Sequence, residues 1–228
     1  GRVQDLSTVQ YNKIVELLQG DKKDAAIRLL ITELKTIAGD SLLPERYNYN
    51  NSNTKKRITL VHSNKLEDKI MELANPAPSK NVRQMLIYAR LCDLIDRKDE
   101  AKQAYEKVLE FRPKEFGALL WLAFENAETE PDKAIKYLLA VDRRYQNILG
   151  RQISSYIQNN YNNQENFQDI YKFTSMATLY LDNIKDPNSL DLSWAGTIPQ
   201  IIANSYSRNN IRLPQLYSES QSVNVNTI

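Results

Sequence analysis

The sequence predicts an all-α fold built from consecutive antiparallel helical pairs, eight helices or more, and three observations carry that prediction. Apolar residues recur at i, i+3, i+4 and i+7 along most of the chain. Polar turns of a few residues separate these stretches, so neighbouring helices must double back and bury their stripes against each other. Only 6 glycines and 8 prolines occur in 228 residues, which argues against a fold of many tight β-hairpins.

The spacing predicts a first helix over 7–19. Ser7 is placed to cap it, Gln10 stands where a capping box wants Glu or Gln, and Tyr11, Ile14, Val15 and Leu18 form its stripe. Gly20 is suited to end that helix in the left-handed conformation. A second helix, about 22–38, carries Ala26, Leu29, Leu30, Leu34 and Ile37, with Gly39 closing it in turn. Residues 45–56, ERYNYNNSNTKK, lack periodicity and read as an exposed Asn-rich insertion. The next six, RITLVH, fit a short strand or a helix. Ser63 is placed to cap a helix through Leu73, which ANPAPS stops.

The clearest pattern follows. Val82, Met85, Ala89, Cys92 and Ile95 share one face of a helix over 79–96. Ala101, Ala104, Tyr105 and Val108 share a face over 100–111, and Pro113 marks the exit. Residues 116–127 are almost wholly apolar, as a helix with neighbours on several sides requires. Pro131 opens a helix to about Leu149, which Gly150 ends. Beyond Arg151 charges thin out, while Phe167, Ile170, Tyr171, Phe173, Ala177, Tyr180 and Leu181 keep helical spacing. A last helix is expected over 197–207, then a frayed tail. The chain so divides into an N-terminal hairpin (1–44), an insertion with a short helix (45–78), a repeat-like segment (79–150) and a polar C-terminal helical part with its tail (151–228).

Composition narrows the function classes. Hydrophobic residues at 42% and charged ones at 25% are those of a globular chain and exclude wholesale disorder. Thirty basic against 28 acidic side chains, net +2, give no electrostatic reason to expect nucleic acid or an anionic membrane as main partner. No apolar run is long enough to cross a bilayer and no signal peptide is visible, although a start at Gly1 leaves room for a removed leader or anchor. A single cysteine, Cys92, excludes an internal disulfide.

One stretch suggests catalysis. Gly39-Asp40-Ser41-Leu42 spells the signature of a family of serine esterases, in which the serine follows a buried strand and an Asp-x-x-His pair completes the triad. Here the preceding residues have helical periodicity, and the one histidine, His62, has Thr59 three residues before it. A serine without a positioned base is a poor nucleophile, so Ser41 is expected in a turn. His62 and Cys92 do not suffice for zinc, no phosphate- or dinucleotide-binding glycine pattern occurs, and no cofactor is expected. Cys92 is expected as a buried structural thiol. Asn50-Asn51-Ser52 is a glycosylation sequon, and the Tyr and Asn near 47–53 and 159–163, which could stack on sugars or bases, read first as solvated loops.

Three short turns align: GDKKDAAIRLL (20–30), DRKDEAKQAYEKVLEFRP (96–113) and ETEPDKAIKYLLAV (128–141). Each puts a polar turn before an alanine that starts an apolar face: Ala25, Ala101 and Ala134. The last two stand 33 residues apart, close to the 34-residue tetratricopeptide period. The chain resembles the tetratricopeptide-repeat family, best over 82–115, where the family's small positions fall on Ala89 and Ala101, its aromatic on Tyr105 and its closing proline on Pro113. Met85 and Cys92 depart from the family's aromatic positions, the third copy lacks the proline, and Ala25 to Ala101 is eight residues longer than two periods.

The resemblance implies an α-solenoid whose first helices line a concave groove. It places groove positions on Arg83, Leu86, Arg90 and Asp93, and in the next copy on Gly117, Leu120 and Phe124. The arginines would take a carboxylate or acidic peptide over an apolar floor, or instead pair with acids such as Asp93 and Glu125; Leu120 and Phe124 would form that floor or pack on a following helix. The Lys and Asn of the family's carboxylate clamp are not at the matching positions. The leading expectation is a non-catalytic scaffold for a protein or peptide partner. A subunit or soluble domain of a larger assembly, including one anchored to a membrane, is the alternative, and a Ser41 esterase the remote one.

Overall fold

A computed structural model of the chain describes residues 6–40, 51–76, 81–160, 167–186, 188, 190 and 192. Among them every regular element is helical: ten α-helices and a 3-10 turn, with no strand. No helix there is long and apolar enough to cross a membrane. The chain forms two compact units, 1–111 and 112–228, so the boundary falls inside the repeat-like 79–150 segment.

The first unit holds α1 (Leu6–Gln19), α2 (Lys23–Asp40), α3 (Ser52–Ser63), α4 (Glu67–Ala74), α5 (Val82–Leu94) and α6 (Lys98–Phe111). Helix α2 is its axis, packing on α1, α3, α4 and α5, while α5 pairs with α6. It can serve four neighbours because Ala26, Ile27, Leu30, Ile31, Leu34 and Ala38 bury a stripe wider than one contact face. Ala26, not the expected Ala25, is the buried small residue, and Leu29 is exposed where Ile27 and Ile31 are not. One residue is about 100° of helix rotation, so an off-by-one register exchanges a packed side chain for a solvated one.

Gly20 follows the end of α1 as expected, but neither it nor Gly39 takes the left-handed conformation. Among the described residues no glycine has a positive φ, and Gly39 lies inside α2. Two other turns take the left-handed conformation. Lys65 (φ 54°) closes α3, with Leu66 N–H donating to the Val61 carbonyl at 3.0 Å. Asp96 (φ 63°) closes α5, with Arg97 N–H donating to the Cys92 carbonyl at 2.8 Å. Each bond is the outer one of a Schellman closure. The α3–α4 segment, expected as insertion, strand or helix, therefore repeats the turn chemistry of α5–α6.

Helix α3 starts within the Asn-rich stretch because Asn51 caps it, its side chain accepting from Asn53 N–H at 2.9 Å. Its buried face is Thr54, Arg57 and Val61. Arg57 donates to Glu33 on α2 (2.6 Å), to the Asn53 carbonyl (3.0 Å) and to the carbonyl and hydroxyl of Ser7 on α1 (2.9 and 3.2 Å). Ser7 is thus inside α1, taken up by Arg57 rather than capping. Ser63 ends α3 instead of capping α4. Residues 41–50, with Ser41, Asn50 and the first part of the insertion, and the expected 197–207 helix and tail lie outside the described residues.

The second unit holds α7 (Phe116–Asn126), α8 (Pro131–Ala140), a 3-10 turn (Arg143–Tyr145), α9 (Gln146–Asn160) and α10 (Phe167–Asn183). Helices α7 and α8 pair, and α10 packs on α7, α8 and α9. Phe173, Met176, Ala177, Tyr180 and Leu181 supply the buried face of α10 at i, i+3, i+4, i+7 and i+8. The expected helix over 131–149 is two, broken after Ala140, and Gly150 is buried inside α9.

Candidate functional site

The seven groove positions fall on two helices, each in its own unit. On α5, Arg83 is exposed, whereas Leu86, Arg90 (2% exposed) and Asp93 are buried. The Asp93 carboxylate takes the Lys98 ammonium across the α5–α6 turn, so it serves the hairpin. On α7, Gly117, Leu120 and Phe124 (1% exposed) are all buried. Phe124 packs on Phe173 of α10, ring centroids 4.4 Å apart, with the Lys172 ammonium 5.3 Å from its ring centre. Glu125 pairs with Lys172 at 3.5 Å. Of the seven, Arg83 alone is open to a partner; the other six are core, because a third helix covers the face that a single hairpin would leave bare.

The residues raised for chemistry are dispersed. Gly39 and Asp40 belong to α2, so the element before Ser41 is a helix where the esterase signature follows a strand. An added Cβ at Gly39 would meet Ile87 of α5 at 3.7 Å, an ordinary packing contact. His62 Nδ1 and Glu67 Oε1 lie 2.7 Å apart, tying α3 to α4, and this hydrogen bond holds the Glu67 carboxyl below its usual range. Cys92 is buried with its thiol directed at Met71 Sδ, 3.4 Å away, and burial pushes its pKa up to about 12. A thiol so hard to ionise is a packing group. Among the described residues no cluster of His, Cys, Asp and Glu could hold a metal.

Two adjoining hollows among the described residues lie in the second unit. A hollow of about 600 Å³ is lined by Arg112, Lys114, Glu115, Phe116, Arg144 and Tyr145. A second, of about 460 Å³, shares Pro113 and Lys114 with it and is walled by Leu139, Val141, Ile184 and Leu190. The Phe116 and Tyr145 rings lie 5.9 Å apart, and the Arg144 guanidinium sits 5.1 Å from the centre of the Tyr145 ring. Glu115 caps α7, accepting from Ala118 N–H at 2.6 Å, and burial raises its carboxyl above the usual range. Two three-residue signals mark the place in sequence, basic and aromatic residues at 112–116 and at 143–145, but they are thirty residues apart and only the fold joins them.

Comparison with protein-family models, with curated proteins and with solved structures finds no match.

Proposed function

We propose that the chain is a non-catalytic scaffold of tetratricopeptide-like hairpins that binds a protein or peptide. The observation that supports it is spacing. Helices α5 and α7 begin 34 residues apart, at Val82 and Phe116, and α6 and α8 begin 33 apart, at Lys98 and Pro131. Small residues stand at matching inner positions, Ala89 and Ala123 in the leading helices and Ala101 and Ala134 in the following ones, all with no exposed surface. Paired helices approach to backbone contact only where side chains are this small, which is the physical content of the family's small positions. Assembly of such hairpins into a solenoid is part of the proposal, and since most of the expected groove wall is core, binding falls to Arg83 and to the hollows of the second unit.

The test is selection of phage-displayed random peptides on the immobilised full chain. Enriched peptides that bind in solution support the scaffold, and no enrichment above bare resin counts against it. Ester hydrolysis by the intact chain that vanishes in Ser41→Ala would overturn the non-catalytic assignment.

One observation favours the second reading, a subunit of a larger assembly: α1 exposes Leu6 (69%) and Val9 (46%) one turn apart. Light scattering of a Leu6→Glu, Val9→Glu variant tests it, a smaller particle being the supporting result.

A further inference from the structure

We propose that the two adjoining hollows of the second unit form one trough that takes an acidic peptide segment bearing large apolar side chains. This rests on the scaffold reading and names its partner's chemistry.

Charge comes first. In the 600 Å³ hollow, among the described residues, Arg112, Lys114 and Arg144 face one acid, Glu115. That acid already caps α7, its side chain accepting from Ala118 N–H at 2.6 Å, so the hollow keeps three cations against one carboxylate engaged by the backbone. Arg144 meets Asp142 at 3.5 Å, a long contact from a guanidinium that is 73% exposed, which leaves it able to turn to a ligand carboxylate.

Shape and apolarity decide what kind of anion fits. Tyr145 and Leu139 are each 36% exposed and line different hollows, which share Pro113 and Lys114. A small anion would occupy a fraction of either hollow and leave these apolar walls in water. A nucleic acid strand asks for a run of cations, whereas the second hollow sets Leu139, Val141, Ile184 and Leu190 beside two acids, Asp142 and Asp186, that offset its Arg143 and Lys185, Arg143 being paired with Asp186 at 3.0 Å. An extended peptide meets both demands: alternate side chains point to opposite sides, so carboxylates reach Arg112, Lys114 and Arg144 while apolar residues enter beside Leu139 and Tyr145.

The walls are held before any ligand arrives. Gln146 accepts the Tyr180 hydroxyl proton at 2.6 Å and donates to the Val141 carbonyl at 2.7 Å, tying the turn after α8 to α10. A trough fixed in this way loses little conformational entropy on binding.

The experiment is fluorescence anisotropy on the full chain with a fluorescein-labelled peptide of alternating Glu and Leu, against its Gln-for-Glu counterpart and inorganic pyrophosphate. Arg112→Glu with Lys114→Glu reverses two exposed cations. It is expected to weaken the Glu/Leu peptide about tenfold or more. Leu139→Glu should weaken it as well, while Lys136→Glu, exposed on α8 outside both hollows, should leave it unchanged. Equal binding by the double variant, an equal loss in Lys136→Glu, or equal affinity for the Gln peptide overturns the proposal. So does pyrophosphate bound through the two cations with no peptide binding. If phage selection enriches peptides that the double variant still holds, the trough assignment fails and the scaffold stands; if nothing is enriched, both fall.

Discussion

The α5–α6 and α7–α8 pairs keep the same spacing but close by different chemistry. The first turns through left-handed Asp96 and carries the Asp93–Lys98 pair across its turn. The second has no left-handed residue. There the Asn126 side chain donates to the Leu122 carbonyl at 2.8 Å, Glu130 N–H donates to the Asn126 carbonyl at 2.9 Å, and Pro131 starts the next helix. Two turns of unlike construction giving near-equal spacing point to the helix faces, which bury Ala89 and Ala101 in one pair and Ala123 and Ala134 in the other, as what sets the geometry. The leading helices differ too. The buried side chains of α5 include Arg90, Cys92 and Asp93, whereas those of α7 are apolar apart from Asn126.

Several changes separate the two pairs. Phe124→Ala should cost the second unit about 3–5 kcal/mol, because it empties the contact with Phe173 under α10. Urea unfolding followed by tryptophan fluorescence reads it through Trp121, buried on α7; a loss below about 1 kcal/mol would show that α10 adds little to the burial of α7. Ala101→Leu and Ala134→Leu should each cost about 1–3 kcal/mol by overpacking. Cys92 thiol exposure in urea reports the first and tryptophan the second, and a neutral result at either site breaks the small-residue account of the spacing.

Asp96→Gly should stabilise the first pair by about 0.5–1 kcal/mol, relieving a left-handed non-glycine residue. Thr129→Gly, in the α7–α8 turn where φ is negative, should lose a few tenths by the entropy of the unfolded chain. Equal gains would mean that the turns do not differ.

A last difference is silent at neutral pH. Burial raises Cys92 from 9.0 to about 12, so from pH 9 the unfolded thiol ionises while the native one does not, and first-unit stability falls with rising pH up to about 12. Burial raises Tyr180 from 10.0 to about 12, so its loss in the second unit begins about one pH unit higher. Urea midpoints across that range check the order, and Cys92→Ala should remove the earlier slope.

Helix existence was open to sequence reasoning wherever the buried face was apolar. The run Gly117–Phe124 announces a helix covered on several sides, and α8 and α10 cover it. Helix α3 was not, because two of its three buried residues, Thr54 and Arg57, are polar, and Arg57 is tolerated inside only because Glu33, Asn53 and Ser7 receive its donors. Glycine misled at three places. At Gly39 and Gly150 its cost of about 1 kcal/mol in a helix is less than the packing around it contributes, and at Gly20 the turn needs no left-handed residue. The burial of Leu120 and Phe124 was hidden for a related reason: they lie on the leading helix as the repeat pattern requires, but that pattern carries no record of α10.

Apolar periodicity was enough to specify most of the helices and the α1–α2, α5–α6 and α7–α8 pairs, because it acts between neighbours in the chain. Which flank of each helix is covered, and the meeting of Arg112, Lys114, Arg144 and Leu139 around one trough, were decided by tertiary packing. A residue's burial depends on whichever helix arrives last, and for α7 that helix, α10, begins some forty residues further along the chain.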